Sequence, residues 1–558
     1  MVHRNGPMPI GIEDFKKLRE GYYFIDKTRF IREILDAHGE VTLITRPRRF
    51  GKTLTLSMLK YFFTLDRAEE NRRLFEGLDI ERAGETYMRE QGTRPVVFLT
   101  LKNINQRNWK STLEKMAISM SELYGRYHFL LESSALSDVE KNFFHRIWEK
   151  QGNQMELENS MMRLSHMLTL HYGRKPVLLL DEYDTPVQAA WKHGYYDECI
   201  GFIRNFFGAA LKTNDSLDFA VLTGIARISK ESIFSGLNNL KVCSVISKQY
   251  SDIFGFTQEE TVRLMEDCNV EGYLPALREW YNGYLFGSTE IYNPWSVIQY
   301  VDHECQFGAY WINVSGNDIL QVLLQHVDEE RRMELEGLLQ GVAVKTIINE
   351  GIIYFDIYED RMALFMMLLT TGYLKIETSW QDCRGIWWCK LQIPNREIRL
   401  AYENEILRKI TVGGRQDLLY DMLDAMMEGD AARFRIRLQS LLLNHVSMYD
   451  MAYPESFYHG MMLGMSVLMD GNYQIKSNRE SGYGRFDLAF FPVERNLAGV
   501  VLEFKTAKSE RNLEVRAKEA LTQIEQMGYA EEFQHRGVKE IWKYGIAFFK
   551  KRVWIEPS

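Results

Sequence analysis

Four short runs in the first 245 residues are apolar almost from end to end: Val41–Ile44, Val96–Leu101, Val177–Leu180 and Phe219–Leu222. A strand with one wetted face alternates apolar and polar residues, so an unbroken apolar run marks a strand covered on both sides. Longer mixed segments of helical length separate the runs. That alternation closes into a parallel sheet with helices on its faces, and it predicts an α/β core over about residues 10–245. At 558 residues the chain has room for three or four such bodies.

Past about Gly255 the alternation fades. Glu329–Leu339 and Leu418–Leu441 carry helical spacing among aromatic-rich loops such as Trp280–Tyr284, which predicts a mainly helical middle. After residue 447 a helix-like stretch, Glu455–Met469, precedes strands at Tyr473–Lys476, Phe486–Phe491 and Gly499–Lys505. A helix over Leu513–Met527 and a last strand at Tyr544–Phe549 complete a second, smaller α/β domain.

Composition narrows the class. With 46% hydrophobic and 26% charged residues the chain is neither disordered nor a collagen or disulfide scaffold. No apolar run approaches the roughly 18–20 residues that span a bilayer, so no membrane partner is expected. Six scattered cysteines without CxxC pairing predict reduced thiols in a cytoplasmic protein, with no zinc site. The net charge of −8 argues against an all-over basic binder but leaves local patches open.

Val41–Leu54 carries the sharpest signal: a strand, a loop, then Gly51-Lys52-Thr53 at a helix start. Backbone N–H groups of such a loop wrap a polyphosphate at a helix N-terminus, Lys52 reaches the terminal phosphates, and the Thr53 hydroxyl ligates Mg²⁺. The general pattern wants a glycine six residues before Lys52, where Arg46 stands. Alone, the segment also reads as an ordinary strand–loop–helix junction. The apolar strand ending in Asp181-Glu182 adds the complement: Asp181 at the carboxyl edge of the sheet for Mg²⁺, and Glu182 to polarise a water for attack on the γ-phosphate. The strand Phe219–Leu222 exits through Thr223 and Arg227, placed to sense the γ-phosphate and to stabilise transition-state charge if that strand lies beside the phosphate loop. For Arg227 an ordinary exposed arginine is the equal alternative.

Thr45–Thr53, Tyr23–Thr28, Leu180–Asp184 and Leu222–Ser229 together resemble the AAA-ATPase-like family, bacterial P-loop ATPase modules commonly followed by a nuclease-type domain. Asn293–Ser296 and the Trp280–Tyr284 loop resemble its helical lid. The family reads Arg-Pro-Arg-Arg-Phe-Gly-Lys-Thr at this loop, so Arg46 departs from the general motif and not from the family. The resemblance implies ATP held by Arg46, Pro47, Arg48, Arg49, Phe50, Gly51, Lys52, Thr53 and Leu54, with Asp181, Thr223 and Arg227 nearby. Ile25–Thr28 shares in the resemblance without an assigned chemical role.

Near the C-terminus Asp487 is followed by Val500-Val-Leu-Glu503-Phe-Lys505. Strand side chains alternate, so Glu503 and Lys505 share one face while Phe504 points to the core. With Asp487 on a neighbouring strand, two carboxylates offer oxygen ligands to Mg²⁺ or Mn²⁺, and the lysine orients a nucleophile or offsets transition-state charge. An exposed Glu-x-Lys ion pair is the common alternative, but the apolar Val500–Leu502 flank puts this pair in the interior. The set resembles the PD-(D/E)XK nuclease superfamily, with Phe486 in place of the namesake proline. The resemblance adds Glu455 or the rival Glu480 as a further acidic ligand, and Gln523 on the following helix. Residues 476–558 hold 15 Lys and Arg against 12 Asp and Glu, and Lys505, Lys508, Arg511, Arg516 and Lys518 cluster near the proposed site. That mildly basic patch suits a nucleic-acid backbone, with DNA and RNA both open.

The expected organisation is therefore an AAA-like P-loop core at 1–250, a helical lid and connecting modules at 251–445, and a PD-(D/E)XK nuclease-like domain at 446–558. The expected function is an ATP-binding, ATP-hydrolysing protein whose nucleotide state controls a Mg²⁺-dependent nuclease. The alternative is a nucleotide-dependent signalling or scaffold protein with a non-cleaving nuclease-like domain. Nothing in the sequence selects an oligomeric state.

Overall fold

The apolar runs form the interior of a five-stranded parallel sheet in a computed structural model. Its strands are β1 (Val41–Thr45), β2 (Val96–Thr100), β3 (Val177–Asp181), β4 (Ala220–Gly224) and β5 (Leu240–Cys243), in the order β2-β3-β4-β1-β5. The central strands β1, β3 and β4 are buried at every residue, as unbroken apolar runs require. β5 is an edge strand and half-buried. Its sequence, Leu-Lys-Val-Cys, lacks the fully apolar signature, which is why the sequence reading passes over it.

The structure describes residues 6–212, 214–228, 239–270, 273–311, 329–339, 341–348, 351–352, 360–402, 416–445, 458, 462, 473–481, 484–494, 497–526 and 531–558. The chain divides into two compact units, Met1–Arg399 and Leu400–Ser558. Among the described residues no helix is long and apolar enough to cross a membrane.

Strand order in the first unit brings the chemistry together. β4 lies between β1 and β3, with Ile44 opposite Thr223 and Leu180 opposite Leu222. All strands run the same way, so the segments leaving β1, β3 and β4 emerge along one edge. That carboxyl edge is where open parallel sheets bind ligands. The helix Lys52–Phe63 follows β1 and buries Leu56, Met58, Leu59, Phe62 and Phe63. Beyond the sheet, Gln258–Asp267, Leu274–Tyr281 and Pro294–Asp302 pack around Tyr281, Tyr292 and Tyr300, together with Met8 and Tyr23 from the N-terminal segment. The expected helix Glu329–Leu339 forms. A three-stranded antiparallel sheet also occurs in this region, from Val344–Ile347, Lys375–Gln381 and Trp387–Gln392.

The second unit is a mixed sheet of β6 (Tyr473–Ser481), β7 (Gly484–Pro492), β8 (Gly499–Thr506), β9 (Ile541–Phe549) and β10 (Arg552–Pro557), ordered as in the sequence. Only β8 and β9 pair in parallel. A parallel neighbour needs a crossover, and the helix Leu513–Gln526 lies between them in the chain. The helical spacing of Leu418–Leu441 resolves into two helices, Gln416–Met427 and Ala431–His445, broken at Gly429, whose φ of 81° ends the first. These two helices cover one face of the sheet, where Leu419, Phe434 and Leu438 meet Val500, Leu502, Phe504 and Phe548. On the other face Ile524 and Phe533 meet Ala489, Phe491 and Val501. Of Glu455–Met469 only Tyr458 and Met462 are described, both buried in the first of these clusters.

Gly545 on β9 shows how closely the crossover helix lies on the sheet. A Cβ there would overlap the Ala517 carbonyl oxygen and come 2.5 Å from the Leu521 nitrogen. Both are main-chain atoms of a helix and cannot swing aside. We expect Gly545→Ala to destabilise the second unit by about 2 kcal/mol or more, read as a lower urea midpoint. An unchanged midpoint would mean that the helix does not seat this closely.

Candidate functional site

The phosphate-type loop between β1 and helix Lys52–Phe63 is held by side chains. Arg46 is fully buried: it donates to the carbonyls of Thr45 at 2.8 Å, Cys243 at 2.9 Å and Tyr250 at 3.1 Å, and its guanidinium lies over the Phe286 and Phe254 rings. Burial pulls its pKa down to about 10, so it stays charged at neutral pH. Its side chain is thus committed to protein carbonyls, and only its main chain remains for a phosphate. Phe50 packs on Tyr284 and Phe286, the Arg49 guanidinium sits 4.5 Å from the Trp295 ring centre, and the Trp311 indole donates to the Arg48 carbonyl at 3.1 Å. Left-handed backbone at Arg49 and Gly51, φ 68° and 84°, turns the loop into the helix. Lys52 donates to the carbonyls of Arg46 at 2.9 Å and Pro47 at 2.8 Å. Burial lowers its pKa, against the opposing pull of Glu182, Asp184 and Asp181.

At the end of β3, Asp181 is completely buried. Its carboxylate accepts from Thr53 Oγ1 at 2.8 Å and from Thr223 Oγ1 at 2.7 Å. A single acid therefore links the helix start, the acidic strand and the strand between them. Burial raises its pKa and the two threonine hydroxyls oppose the shift. Glu182 follows in a left-handed conformation, φ 52°, and accepts from Thr185 Oγ1 at 3.3 Å. Asp184 caps the exit of β4 by accepting from the N–H groups of Ile225 and Ala226. The hydroxyl–carboxylate pair Thr53–Asp181 is a hard-oxygen donor set that fits Mg²⁺.

Arg48, Arg49, Phe50, Gly51, Lys52, Thr53, Leu54 and Glu182 line a cavity of about 660 Å³. Apolar side chains also line it, among them Ile12, Tyr23, Ile25, Phe256, Trp295 and Ile298. Cations and apolar side chains lining one cavity suit a phosphate tail and a flat base. Arg227 does not line this cavity; it pairs with Gly351 in a two-residue bridge, and its Nε is buried without a hydrogen-bond partner among the described residues.

The N-terminal motif acquires a role as a brace. Asp26 accepts from the N–H groups of Thr28 at 2.8 Å and Asp79 at 2.7 Å. Lys27 reaches the Asp252 carbonyl and Glu260, both at 2.6 Å, which ties the cavity's apolar lining to the helix Gln258–Asp267.

In the second unit, Asp487 on β7 and Glu503 and Lys505 on β8 meet. The Phe504 N–H donates to the Asp487 carboxylate at 2.8 Å just past the last ladder pair, Leu488 with Leu502. Glu503 is 3% exposed, Lys505 Nζ lies 3.3 Å from one of its oxygens, and the other has no hydrogen-bond partner among the described residues. Burial and the neighbouring Asp487 push Glu503 up to about 7. Two carboxylates in mutual repulsion with an orphaned buried oxygen are a donor set that a divalent ion satisfies. Among the described residues no group of three His, Cys, Asp or Glu converges here. Glu455 lies outside the described residues, and Glu480 stands on β6 opposite Arg485. Lys505 and Gln523 line an open groove along helix Leu513–Gln526, with Lys518 and Thr522. The basic cluster is partly neutralised by pairs of Lys518 with Glu514 and Arg516 with Glu519.

Sequence reasoning missed the apolar lining and two residues that support the phosphate loop, Trp311 and Glu397. Glu397 is buried and accepts from Trp311 N–H at 2.6 Å and Ser296 Oγ at 2.7 Å; burial pushes it up to about 7. A lone glutamate some 350 residues after the loop carries no local signal of this.

Comparison with known proteins divides the chain in the same order. Residues 9–234 match the family described as predicted AAA-ATPase, and residues 453–557 match the PD-(D/E)XK nuclease superfamily. An uncharacterized protein in the vnfD 5′ region of Azotobacter chroococcum mcd 1 is 26% identical over 97% of this chain and 96% of its own length.

Glu503 makes a pH-dependent contribution with a definite sign. Its carboxyl ionises at about 7 in the fold against an ordinary 4.5, so between these values the unfolded chain binds fewer protons and stability falls as pH rises. With divalent ions chelated, Glu503→Gln should be the more stable protein at pH 8, by about 2 kcal/mol, with the difference shrinking below pH 5. Urea titrations at the two pH values measure it, and an equal difference at both would exclude this cause.

Proposed function

We propose that the chain binds and hydrolyses ATP in its first unit, and that its nucleotide state controls a Mg²⁺-dependent nuclease in the second, acting on nucleic acid in the cytoplasm. The observation that carries the first half is the Asp181 carboxylate, which joins Thr53, on the cavity wall with Lys52, to Thr223; Asp181 and Thr223 themselves stand outside the lining.

In this reading the N–H groups at the start of helix Lys52–Phe63 and the Lys52 ammonium hold the β- and γ-phosphates, where a low dielectric strengthens each contact. Thr53 and Asp181 would hold Mg²⁺, which would offset phosphate charge. Glu182 orients the attacking water and takes its proton, while Thr223 fixes the Asp181 carboxylate. The apolar lining with Trp295 and Tyr23 seats the base.

In the second unit the buried Glu503–Asp487 pair supports the nuclease half. Glu503 and Asp487 would hold a divalent ion, which would supply an acidified water and polarise the phosphodiester. Lys505 offsets charge at the reacting phosphate, and the groove with Lys518 and Gln523 holds the backbone. Control by nucleotide is supported by the chain of contacts from the Arg48 carbonyl through Trp311 to Glu397, close in sequence to the start of the second unit at Leu400.

The deciding experiment measures ATP turnover and cleavage of single- and double-stranded DNA and RNA by the full chain, with Mg²⁺ or Mn²⁺, with and without ATP. Lys52→Ala should lose ATP binding, and Glu182→Gln should bind ATP but hydrolyse it about 10²-fold or more slowly. Glu503→Ala or Lys505→Ala should abolish cleavage and spare ATP turnover. Cleavage of none of these substrates would favour a non-cleaving scaffold, and cleavage indifferent to ATP would remove the control.

A further inference from the structure

If the first unit hydrolyses ATP as proposed above, its reaction needs a positive charge that meets the γ-phosphate as charge builds on it. Arg46, Arg48, Arg49 and Arg227 are the arginines in or near the loop and the β4 exit. Arg46 spends its guanidinium on buried carbonyls, Arg49 stacks on Trp295, and Arg227 stands outside the cavity wall. Arg48 differs from all three. It lines the cavity with Lys52, Glu182 and Gln188, and among the described residues its guanidinium makes one hydrogen bond, a long one of 3.5 Å to Gln188 Oε1.

That resting place is itself fixed. Gln188 Nε2 donates to Asp184 at 2.9 Å, and Asp184 is pinned by the N–H groups of Ile225 and Ala226. The Arg48 main chain is fixed separately by the Trp311 indole on its carbonyl. The Arg48 charge also opposes that of Lys52, lowering its affinity for a proton. Two cations lining one cavity, one held only weakly, form a site that a multiply charged anion relieves.

We propose that Arg48 is the catalytic arginine of this ATPase, supplied from the phosphate loop of the same chain, so that hydrolysis needs no second subunit. In the step it serves, a water oxygen bonds to the γ-phosphorus while the bond from that phosphorus to the β,γ-bridging oxygen breaks. The water's proton passes to Glu182, the bridging electron pair leaves on ADP, and phosphate departs. Arg48 moves off Gln188 to donate to the γ-phosphoryl oxygens, whose charge a planar two-pronged donor matches.

The test uses the full chain and three readings: ATP turnover, ATP affinity, and affinity for ADP with aluminium fluoride, which mimics the transferring phosphoryl group. Arg48→Ala should lower kcat by about 10²–10³-fold, leave the Kd for ATP within about fivefold, and weaken the fluoride complex far more than ADP alone. Arg48→Lys keeps the charge without the fork and should recover only part of the rate. Wild-type kcat per chain should stay level across a hundredfold dilution. Wild-type turnover with Arg48→Ala equally fast overturns the assignment alone. So does a loss of ATP binding in step with turnover, or a rate per chain that collapses on dilution. A wild-type chain that neither binds nor hydrolyses ATP overturns the proposed function itself.

Discussion

A guanidinium with no exposed surface anchors the phosphate-type loop, and it ties that loop to the end of β5, to Tyr250 and Phe254, and to Phe286. Burying a charge is costly unless its donors are satisfied. Arg46 meets the condition in large part: its two terminal nitrogens donate to carbonyls of Thr45, Cys243 and Tyr250 and its plane lies over two aromatic rings, while its Nε is buried without a hydrogen-bond partner among the described residues. These groups come from segments distant in sequence, so the charge is compensated only when the sheet, the 250–254 segment and the short strand Tyr284–Phe286 are all in place. A glycine at this position would free the loop; arginine instead makes the loop's shape depend on the surrounding fold. Phe50, Arg49 and the Arg48 carbonyl extend the same dependence to Tyr284, Trp295 and Trp311.

The two units, unlike in topology, place charge by a common rule. In each, a buried carboxylate sits on a sheet strand, at the end of β3 in the first unit and within β8 in the second, its pKa is raised by loss of solvent, and a lysine is close by. Such carboxylates lower the stability of the bare protein and have no packing rationale. Clusters of this kind mark sites where an ion or a phosphate supplies the missing partner.

Much of this was legible in the sequence where the signal is local. Unbroken apolar runs gave β1 to β4, and the Gly51-Lys52-Thr53 and Asp181-Glu182 segments pointed to one edge because parallel strands share a direction. The alternation around Phe504 put Glu503 and Lys505 on one face. Partly wetted elements were not legible: β5 is half-buried, and β10 alternates too briefly to stand out. Nor were contacts of long separation, such as Trp311 with Arg48 or Lys27 with Glu260, since nothing near either residue encodes its partner. The same holds for Arg46, whose role depends on what surrounds it.

The sheet of the second unit is covered on its two faces from different parts of the chain. One face receives the crossover helix Leu513–Gln526, from inside the matched segment 453–557. The other receives Leu419, Met422, Phe434, Leu438 and Leu442, all from before that segment begins. Residues 453–557 cut out alone would carry both carboxylates and the lysine, but they would leave Val500, Leu502 and Phe504 on the strand that holds the site, and Phe548 on β9, without that cover. A piece that keeps this cover has to include the helices Gln416–Met427 and Ala431–His445 as well as the matched segment.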